Sequence, residues 1–490
     1  MGYDDIIRLA LERGFFSPSS EIYSDAPAGF WEYGPLGAAL RRRYVELWRR
    51  ELVRRSSMIE IDGSLIMSKN VFLASGHLES FADPITTCNK CKTIHRADRL
   101  ISDKTGQVVP ERLSEKEFDE LIVRHGIRCP NDNGELGPVR KFNTMFRVGV
   151  GPGNEDAYLR PETCQSIFVD FPRLYKVMRC KLPVAFAQFG KSFRNEISPR
   201  QSLIRLRELY QAEIEVFFNP SKANQFPKFD EVADSVLRLT TSSGVVEPVS
   251  CSKAVEKGLL PTRIIAYYLA MLQHFYEKTG IDTQRSRFRR LLDKERAFYS
   301  EVAFDFEVET SLGWVELVAC NYRTDYDLSR HATFSKNEIS VYDDGEKVVP
   351  HVFELSMGVD RSLYCILEHS FNKEKERDIL RLKPVLAPIQ SGIFPLVNKD
   401  GLPEKGKEIF DTLKCDFDVI YDDAGSIGRR YRRMDEIGTP YAITVDYQTM
   451  EDGSVTLRDR DSMSQKRISS AEIPVVLQSL LHGTDFASLK

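Results

Sequence analysis

The chain has 490 residues, 42% hydrophobic and 29% charged, with a net charge of −4 and a pI near 6.2. That length exceeds one hydrophobic core and predicts two to four domains, and the balance excludes disordered, fibrous and strongly basic classes. No apolar run reaches the ~20 residues of a membrane span, so no membrane partner is expected; nine scattered cysteines predict reduced thiols and a cytoplasmic setting.

The chain opens with "MGYDDIIRLALERG", a short helix with acids in its first turn, unlike a secretory signal. "YGPLGAALRRRYVELWRRELVRRS" predicts a helix opened by Gly34-Pro35, with an apolar stripe of Leu36, Leu40, Tyr44, Leu47 and Trp48 beside an arginine-rich face. Such a stripe must pack on something, a second subunit being one candidate. From 85 to 141 the composition shifts to cysteines, histidines and a charged helix, as in an insertion. Strand-like chain runs from 142 to 218. Residues 219–300 ("KFDEVADSVLRL", "PTRIIAYYLAMLQHFYEKTG") read as mostly helical, a second insertion. From 301 to 380 come strands ("VAFDFEVET", "GWVELVAC") and a glycine turn into a helix ("SMGVDRSLYCILEHSF"). Strands and helices alternate from 381 to 490, which predicts a separate α/β domain.

Two short matches mislead. "FGKS" (189–192) has alanine at 185 where a phosphate-binding loop needs glycine. "IMSKN" (66–70) resembles half of a class I nucleotide-binding signature, but the chain has no His-x-Gly-His to complete it, and a strand end is the better reading.

The hairpin "FRNEISPRQSLIRLRELYQAEIE" (193–215) concentrates charge of both signs between apolar strands. Alternation puts Arg194 and Glu196 on one face of the outgoing strand, and Gln211, Glu213 and Glu215 on one face of the returning strand. Guanidinium groups at a strand tip suit oxygen-rich anions, because they donate two parallel hydrogen bonds; a solvated salt-bridge network is the plain alternative. Glu316 interrupts the apolar strand "WVELVAC", where an unpaired carboxylate is costly and calls for a cation or a partner. Arg361 follows a glycine at a helix start, where the helix end favours phosphate.

These segments resemble the three motifs of class II aminoacyl-tRNA synthetases: the 34–68 helix and strand motif 1, "FRNE…RLRE" motif 2 and "GVDR" motif 3. "YGPLGAAL", "SGHLESFADP", "YLRPET", "SFRNEISPR" and "SIGRRYRRMDEIGTPYAITVD" narrow the resemblance to glycyl-tRNA synthetases of the archaeal and eukaryotic homodimeric type, over nearly the whole chain. The resemblance implies an α+β fold: a class II core of antiparallel sheet flanked by helices (1–84, 142–218 and 301–380), a zinc-ribbon-like insertion at 85–141, a helical insertion at 219–300, and an anticodon-binding domain at 381–490. It implies glycyl-adenylate formation from glycine and ATP, then transfer to tRNA(Gly), by a homodimer. Arg194 would hold the α-phosphate and the glycine carboxylate, Glu196 the adenine amino group, Arg205 and Arg361 the outer phosphates, and Glu316 Mg²⁺. Asn195, Leu203, Ile204, Leu206, Arg207, Glu208, Leu317 and Gly358 complete the implied ATP site. Glycine would meet Glu162, Glu213, Glu354 and Ser356, with Arg96, Glu208, Gln211 and Arg323 as further contacts. Leu209 stands where the family usually has a phenylalanine that stacks on adenine. The rival is a non-catalytic synthetase-like paralogue that binds nucleic acid, which would be expected to lose these arginines and carboxylates.

"CNKC" (88–91) and "CPND" (129–132) resemble a zinc ribbon with Asp132 in place of the fourth cysteine. Zn²⁺ on Cys88, Cys91 and Cys129 would be completed by Asp132, His95 or His125; a lobe that folds without metal is the alternative. Arg429, Arg430, Arg432 and Arg433 share a short helical stretch and invite an RNA-binding reading, although helical spacing spreads them over more than one face.

Overall fold

The computed structural model describes residues 2–107, 109, 113–240, 244–293, 295–375 and 377–489. The other positions, which fall within the six segments expected above, lie outside the described residues. The fold is α+β. Its centre is a nine-stranded sheet of β1 (Ile59–Ile61), β2 (Val184–Phe193), β3 (Glu208–Phe218), β4 (Val236–Thr240), β5 (Val246–Ser250), β6 (Ser286–Arg290), β7 (Val302–Thr310), β8 (Gly313–Thr324) and β9 (His351–Gly358). Across the sheet the order is β5-β4-β6-β7-β8-β9-β3-β2-β1; β1 with β2 and β4 with β6 run parallel, and the other pairs are antiparallel.

Strict alternation divides β3 between two environments. Ala212, Ile214, Val216 and Phe218 face the main apolar core, built with helices Pro35–Trp48, Arg263–Thr279 and Val359–Ser370. Residues 209, 211, 213 and 215 face the other way, toward a polar cavity, before Phe217 joins a smaller cluster under helix Cys164–Val177. The helix Pro35–Trp48 starts on proline at its first position, as the sequence predicts. Its stripe is spent inside the chain: Leu40, Tyr44, Leu47 and Trp48 are buried in this core and Leu36 packs on it, so it offers no argument for a second subunit.

Two expectations need correction. "KFDEVADSVLRL" is not a helix: Pro227–Glu231 is one 3₁₀ stretch and Val236–Thr240 is a strand, with Leu237 and Leu239 inward. Its helical spacing loses to a period of two, and three strands from 219–300 extend the main sheet, so the region is only partly helical. The outgoing strand of the charged hairpin also stops at Phe193, so Arg194 and Glu196 sit in a turn rather than on a pleated face.

"FGKS" lies inside β2. Gly190 is there because Arg160 crosses the strand: a Cβ would lie 2.3 Å from a terminal guanidinium nitrogen. "IMSKN" is a strand end, with Ser68 capping the helix Lys69–Ala74.

Strands within 391–469 form a second, five-stranded mixed sheet, whose core of Ile393, Leu402, Ile443 and Val455 is closed by Leu477 of the helix Ile473–Leu481. Asp418 of this unit pairs with Arg42 and Arg43 of the first long helix, and Asp435 with Arg377. Among the described residues no helix is long and apolar enough to cross a membrane.

Candidate active site

The cavity has a volume of about 360 Å³ and opens at the end of β3, β8 and β9. Its floor is set by register. Glu213 stands opposite Ser356, Glu215 opposite Glu354, and Glu354 opposite Asn321, so the polar residues of three strands share one face. Glu213 accepts hydrogen bonds from Ser356 Oγ (2.6 Å), Thr163 Oγ1 (2.5 Å) and Gln211 Nε2 (3.2 Å). Glu354 accepts from Asn321 (2.7 Å) and Arg323 (2.9 Å). Glu162 accepts from Gln165 (3.0 Å) and from the Cys164 thiol (2.9 Å), and lies 3.1 Å from His77 Nε2. Glu215 is fully buried, and neither oxygen has a hydrogen-bond partner among the described residues.

Arg323 is the counter-charge. It is wholly buried, chelates Asp327 at 2.6 and 2.8 Å, and lies 3.7 Å from the centre of the Tyr299 ring. Four glutamates and Asp327 thus outnumber the buried guanidiniums of Arg323 and Arg160, with His77 beside Glu162 and His331 near Asp327, so the buried floor carries an excess of negative charge. The titrations follow. Burial, then the neighbouring Glu162 and Glu213, push Glu354 up to about 7 against the pull of Arg323. Burial and Glu162 raise Glu213, and burial with Glu354 raises Glu215 well above the carboxylate range. Burial opposes ionisation of Glu162 too, but His77 and Arg323 hold it well below. Burial and Glu162 raise the Cys164 thiol well above its ordinary value, which makes it a packed side chain rather than a nucleophile.

The rim carries the opposite sign. Arg194 donates through Nε to the Pro161 carbonyl (3.0 Å), stacks near Phe81, and its charge reaches Glu213. Arg361, in the first turn of helix Val359–Ser370, is fixed by the carbonyls of Ile204 and Glu316 (both 3.0 Å) and lies 3.4 Å from the Glu316 carboxylate. Asp360 beside it accepts from the Tyr210 backbone N–H (2.6 Å) and the Tyr33 hydroxyl, tying three distant segments together. Glu316 and Asp305 line the same wall, and burial followed by Glu316 pushes Asp305 up to about 8.

An arginine-rimmed, carboxylate-floored cavity on an antiparallel sheet has relatives. The family described as "tRNA synthetase class II core domain (G, H, P, S and T)" matches residues 146–370, and "Anticodon binding domain" matches 390–480. Glycine–tRNA ligases of Methanothrix thermoacetophila (41% identical, 98% of this chain and 97% of the relative), Methanocaldococcus jannaschii (38%, 98% and 99%) and Pyrococcus furiosus (40%, 98% and 99%) align over the whole length. The chain belongs to the glycine–tRNA ligases. The first of these alignments runs over 565 positions against 490 residues here, so that relative carries segments this ligase lacks. Among solved structures, Giardia lamblia prolyl-tRNA synthetase in complex with prolyl-adenylate superposes with a TM-score of 0.59 at 16% identity, over 96% of this chain and 74% of that one, a likeness of fold.

The expected site residues of this ligase divide cleanly. Glu162, Arg194, Glu196, Leu203, Ile204, Arg205, Leu206, Gln211, Glu316, Leu317, Glu354, Ser356, Gly358 and Arg361 line the cavity, as does Leu209. Glu213 and Arg323 lie just beneath, bonded to its floor. Glu196 and Arg205, expected at opposite ends of ATP, are paired with each other at 2.6 Å. Four residues go elsewhere. Glu208 pairs with Lys191 and lines a neighbouring cleft with Tyr33 and Arg41 rather than the cavity wall. Arg207 donates to the carbonyls of Ala28 (2.7 Å) and Glu196 (3.0 Å), bracing the turn. Asn195 donates its backbone N–H to Thr144 (2.7 Å) and is not on the wall. Arg96 pairs with Asp83 and Asp98 in the insertion. The sequence reading missed His77, Thr163, Tyr299, Asp305, Asn321 and Asp360. Asp305 carries the same signal as Glu316, an acid within an apolar strand, and was within reach.

Proposed function

We propose that the rim takes ATP and the floor takes glycine, so that a glycine carboxylate oxygen attacks the α-phosphorus, pyrophosphate leaves, and the tRNA terminal ribose hydroxyl then displaces AMP from the glycyl carbonyl. The electron-poor groups are the ones aligned with developing negative charge. Arg194 sits between rim and floor, where it would bridge the α-phosphate and the amino-acid carboxylate; Arg361 and Arg205 are left for the outer phosphates. Little proton transfer is needed, and no side chain on the wall is asked to act as a nucleophile. Glu316 and Asp305 supply hard oxygen donors on the phosphate side, a fit for Mg²⁺, which when bound would neutralise phosphate charge.

The observation that carries this reading is the excess of buried carboxylates: Glu162, Glu213 and Glu354, with Glu215 behind them, outnumber the buried guanidiniums of Arg323 and Arg160, a surplus that suits a bare ammonium. The test is ATP–pyrophosphate exchange with glycine, alanine, serine and proline offered singly. Exchange with glycine alone is expected; exchange with proline would overturn the assignment of the floor.

The five-stranded unit is proposed to carry the anticodon of tRNA(Gly), supported by its family match. A homodimer is proposed on the family resemblance, and light scattering decides it. None of the nine cysteines is in a disulfide, which supports the cytoplasmic reading.

A further inference from the structure

The lobe from 82 to 143 holds a three-stranded sheet (Ala82–Thr87, Ile94–Arg96, Arg140–Asn143) and two helices (Ala97–Thr105, Glu115–Arg124). Its buried core is Ala97, Ile101, Phe118, Ile122, Ile127 and Val139. So few apolar residues rarely hold a unit of that size without a staple, and its three cysteines are not in disulfides.

Beyond the core, two turns face each other. In the first, Cys88 N–H donates to the Thr93 carbonyl and Lys92 N–H to the Cys88 carbonyl, with Lys92 left-handed at φ 61°. In the second, Cys129 N–H donates to the Gly134 carbonyl and Asn133 N–H to the Cys129 carbonyl, with Asn133 left-handed at φ 56°. The backbones repeat residue for residue, and in that repeat Asp132 occupies the place that Cys91 has in the first turn. The four side chains bring three sulfurs and a carboxylate oxygen within 4.8 Å of one another. Cys91 and Cys129 sulfurs are 3.6 Å apart, and Cys88 Sγ is 3.4 Å from Asp132 Oδ1. Tetrahedral zinc with ordinary bond lengths demands edges of about 3.8 Å between sulfurs and about 3.5 Å between sulfur and oxygen.

The ligand atoms are also pre-aimed. Cys88 Sγ accepts the backbone N–H groups of Lys90 and Cys91 (3.4 Å each), and Asp132 Oδ1 accepts that of Gly134 (2.9 Å). A Cβ on Gly134 would come within 2.7 Å of Cys88 Sγ and 2.9 Å of Asp132 Oδ1, so only glycine leaves the cradle open. We propose that Cys88, Cys91, Cys129 and Asp132 bind one zinc ion, the cysteines as thiolates and Asp132 through one oxygen. Binding releases the thiol protons to solvent and leaves no open coordination position, so the ion is structural, clamping the hairpin turn to the loop after the second helix. His95 Nε2, 3.3 Å from Cys129 Sγ, then donates a hydrogen bond to that thiolate and is not a ligand.

The full chain, purified after zinc-supplemented growth and gel filtration, should carry about one zinc per chain by elemental analysis; zinc-reconstituted protein holding less than a tenth of that overturns the site. Cobalt substitution of the unaltered protein should give the intense visible bands of a tetrahedral ion and thiolate-to-metal charge transfer, whereas a weak octahedral spectrum overturns it without any variant having to fold. For the fourth ligand, Asp132→Cys should slow zinc loss to a chelator at least tenfold and Asp132→Ala should speed it. Retention unchanged in Asp132→Ala but lost in His95→Ala overturns the carboxylate assignment.

Discussion

Residues 194–207 and 429–433 look alike in the sequence, each a run of arginines that invites an anion, and they end in opposite situations. In the first, Arg194, anchored by one carbonyl, and Arg205, paired with Glu196, reach the cavity wall, while Arg207 is spent on two carbonyls. In the second, on helix Ile427–Ile437, Arg430 is 2% exposed and spent on the carbonyls of Pro395 and Gly425 (2.8 Å to the latter), Arg433 is half-exposed and paired with Asp422, and Arg429 and Arg432 are exposed. The difference lies in what surrounds the helix or turn. A turn at a sheet edge leaves guanidinium groups beside a cavity, whereas a helix packed on a sheet turns one of its faces into core and asks the arginines there to cap loose carbonyls.

The largest effect should come from the cavity side. Among the described residues Arg194 bonds one carbonyl and no carboxylate directly, so Arg194→Ala should lower kcat/KM in ATP–pyrophosphate exchange about 10³-fold while the melting temperature moves little. A large fall in melting temperature with an unchanged rate per folded molecule would place Arg194 with Arg430 instead. Arg430→Ala should do the reverse. It strands buried carbonyls and opens a cavity, at a cost of about 2–4 kcal/mol to the C-terminal unit. Exchange with ATP and glycine, which needs no tRNA, should be untouched at temperatures where the unit stays folded.

Much of this was legible in advance because β-strand alternation is a rigid rule: residues 211, 213 and 215 fall on one face whatever their neighbours. Glu208, which the family resemblance includes, falls on the opposite face and pairs with Lys191. Where the sequence reading failed, competing periods or distance were responsible. "KFDEVADSVLRL" fits a helix until Leu237 and Leu239 pair with Val249 and Glu247 of β5, and Leu239 on its other side with Phe288 of β6, about fifty residues downstream. Asp360 joins Tyr33 and Tyr210 across 327 and 150 positions, and no local pattern announces such a contact. The arginines of 429–433 could be seen to divide between faces, but not which of them the Pro395 and Gly425 carbonyls would claim.

A smaller effect tests the floor itself. Glu354 is pushed up to about 7 from an ordinary 4.5, so it is protonated and neutral in the folded chain below that value. An ammonium needs the carboxylate, so the KM for glycine should fall as pH rises through about 7, by no more than about tenfold per pH unit for one proton, and Glu354→Gln should flatten the profile. Stability must run the other way. The folded state holds a proton that the unfolded chain gives up near 4.5, so this group's contribution is full below 4.5 and lost as pH rises through about 7. A KM that rises with pH would mean that glycine binds the protonated floor.

The smallest expected change sharpens the comparison most. Arg429 and Arg432 are exposed on a unit matched to an anticodon-binding family, and neither has an ion-pair partner among the described residues. Each phosphate contact removed should weaken tRNA binding by about 1 kcal/mol and lower the slope of log affinity against log salt by about one. Replacing either with alanine should therefore raise the KM for tRNA several-fold in aminoacylation, lessen its salt dependence, and leave both the melting temperature and the exchange reaction alone. If neither substitution changes the salt slope, these arginines are merely solvated and the tRNA is held by another face of the unit. The distinction between a spent and an available guanidinium, clear at Arg207 and Arg194, would then fail to predict function in the C-terminal unit, because exposure alone would not have been enough to mark a nucleic-acid contact.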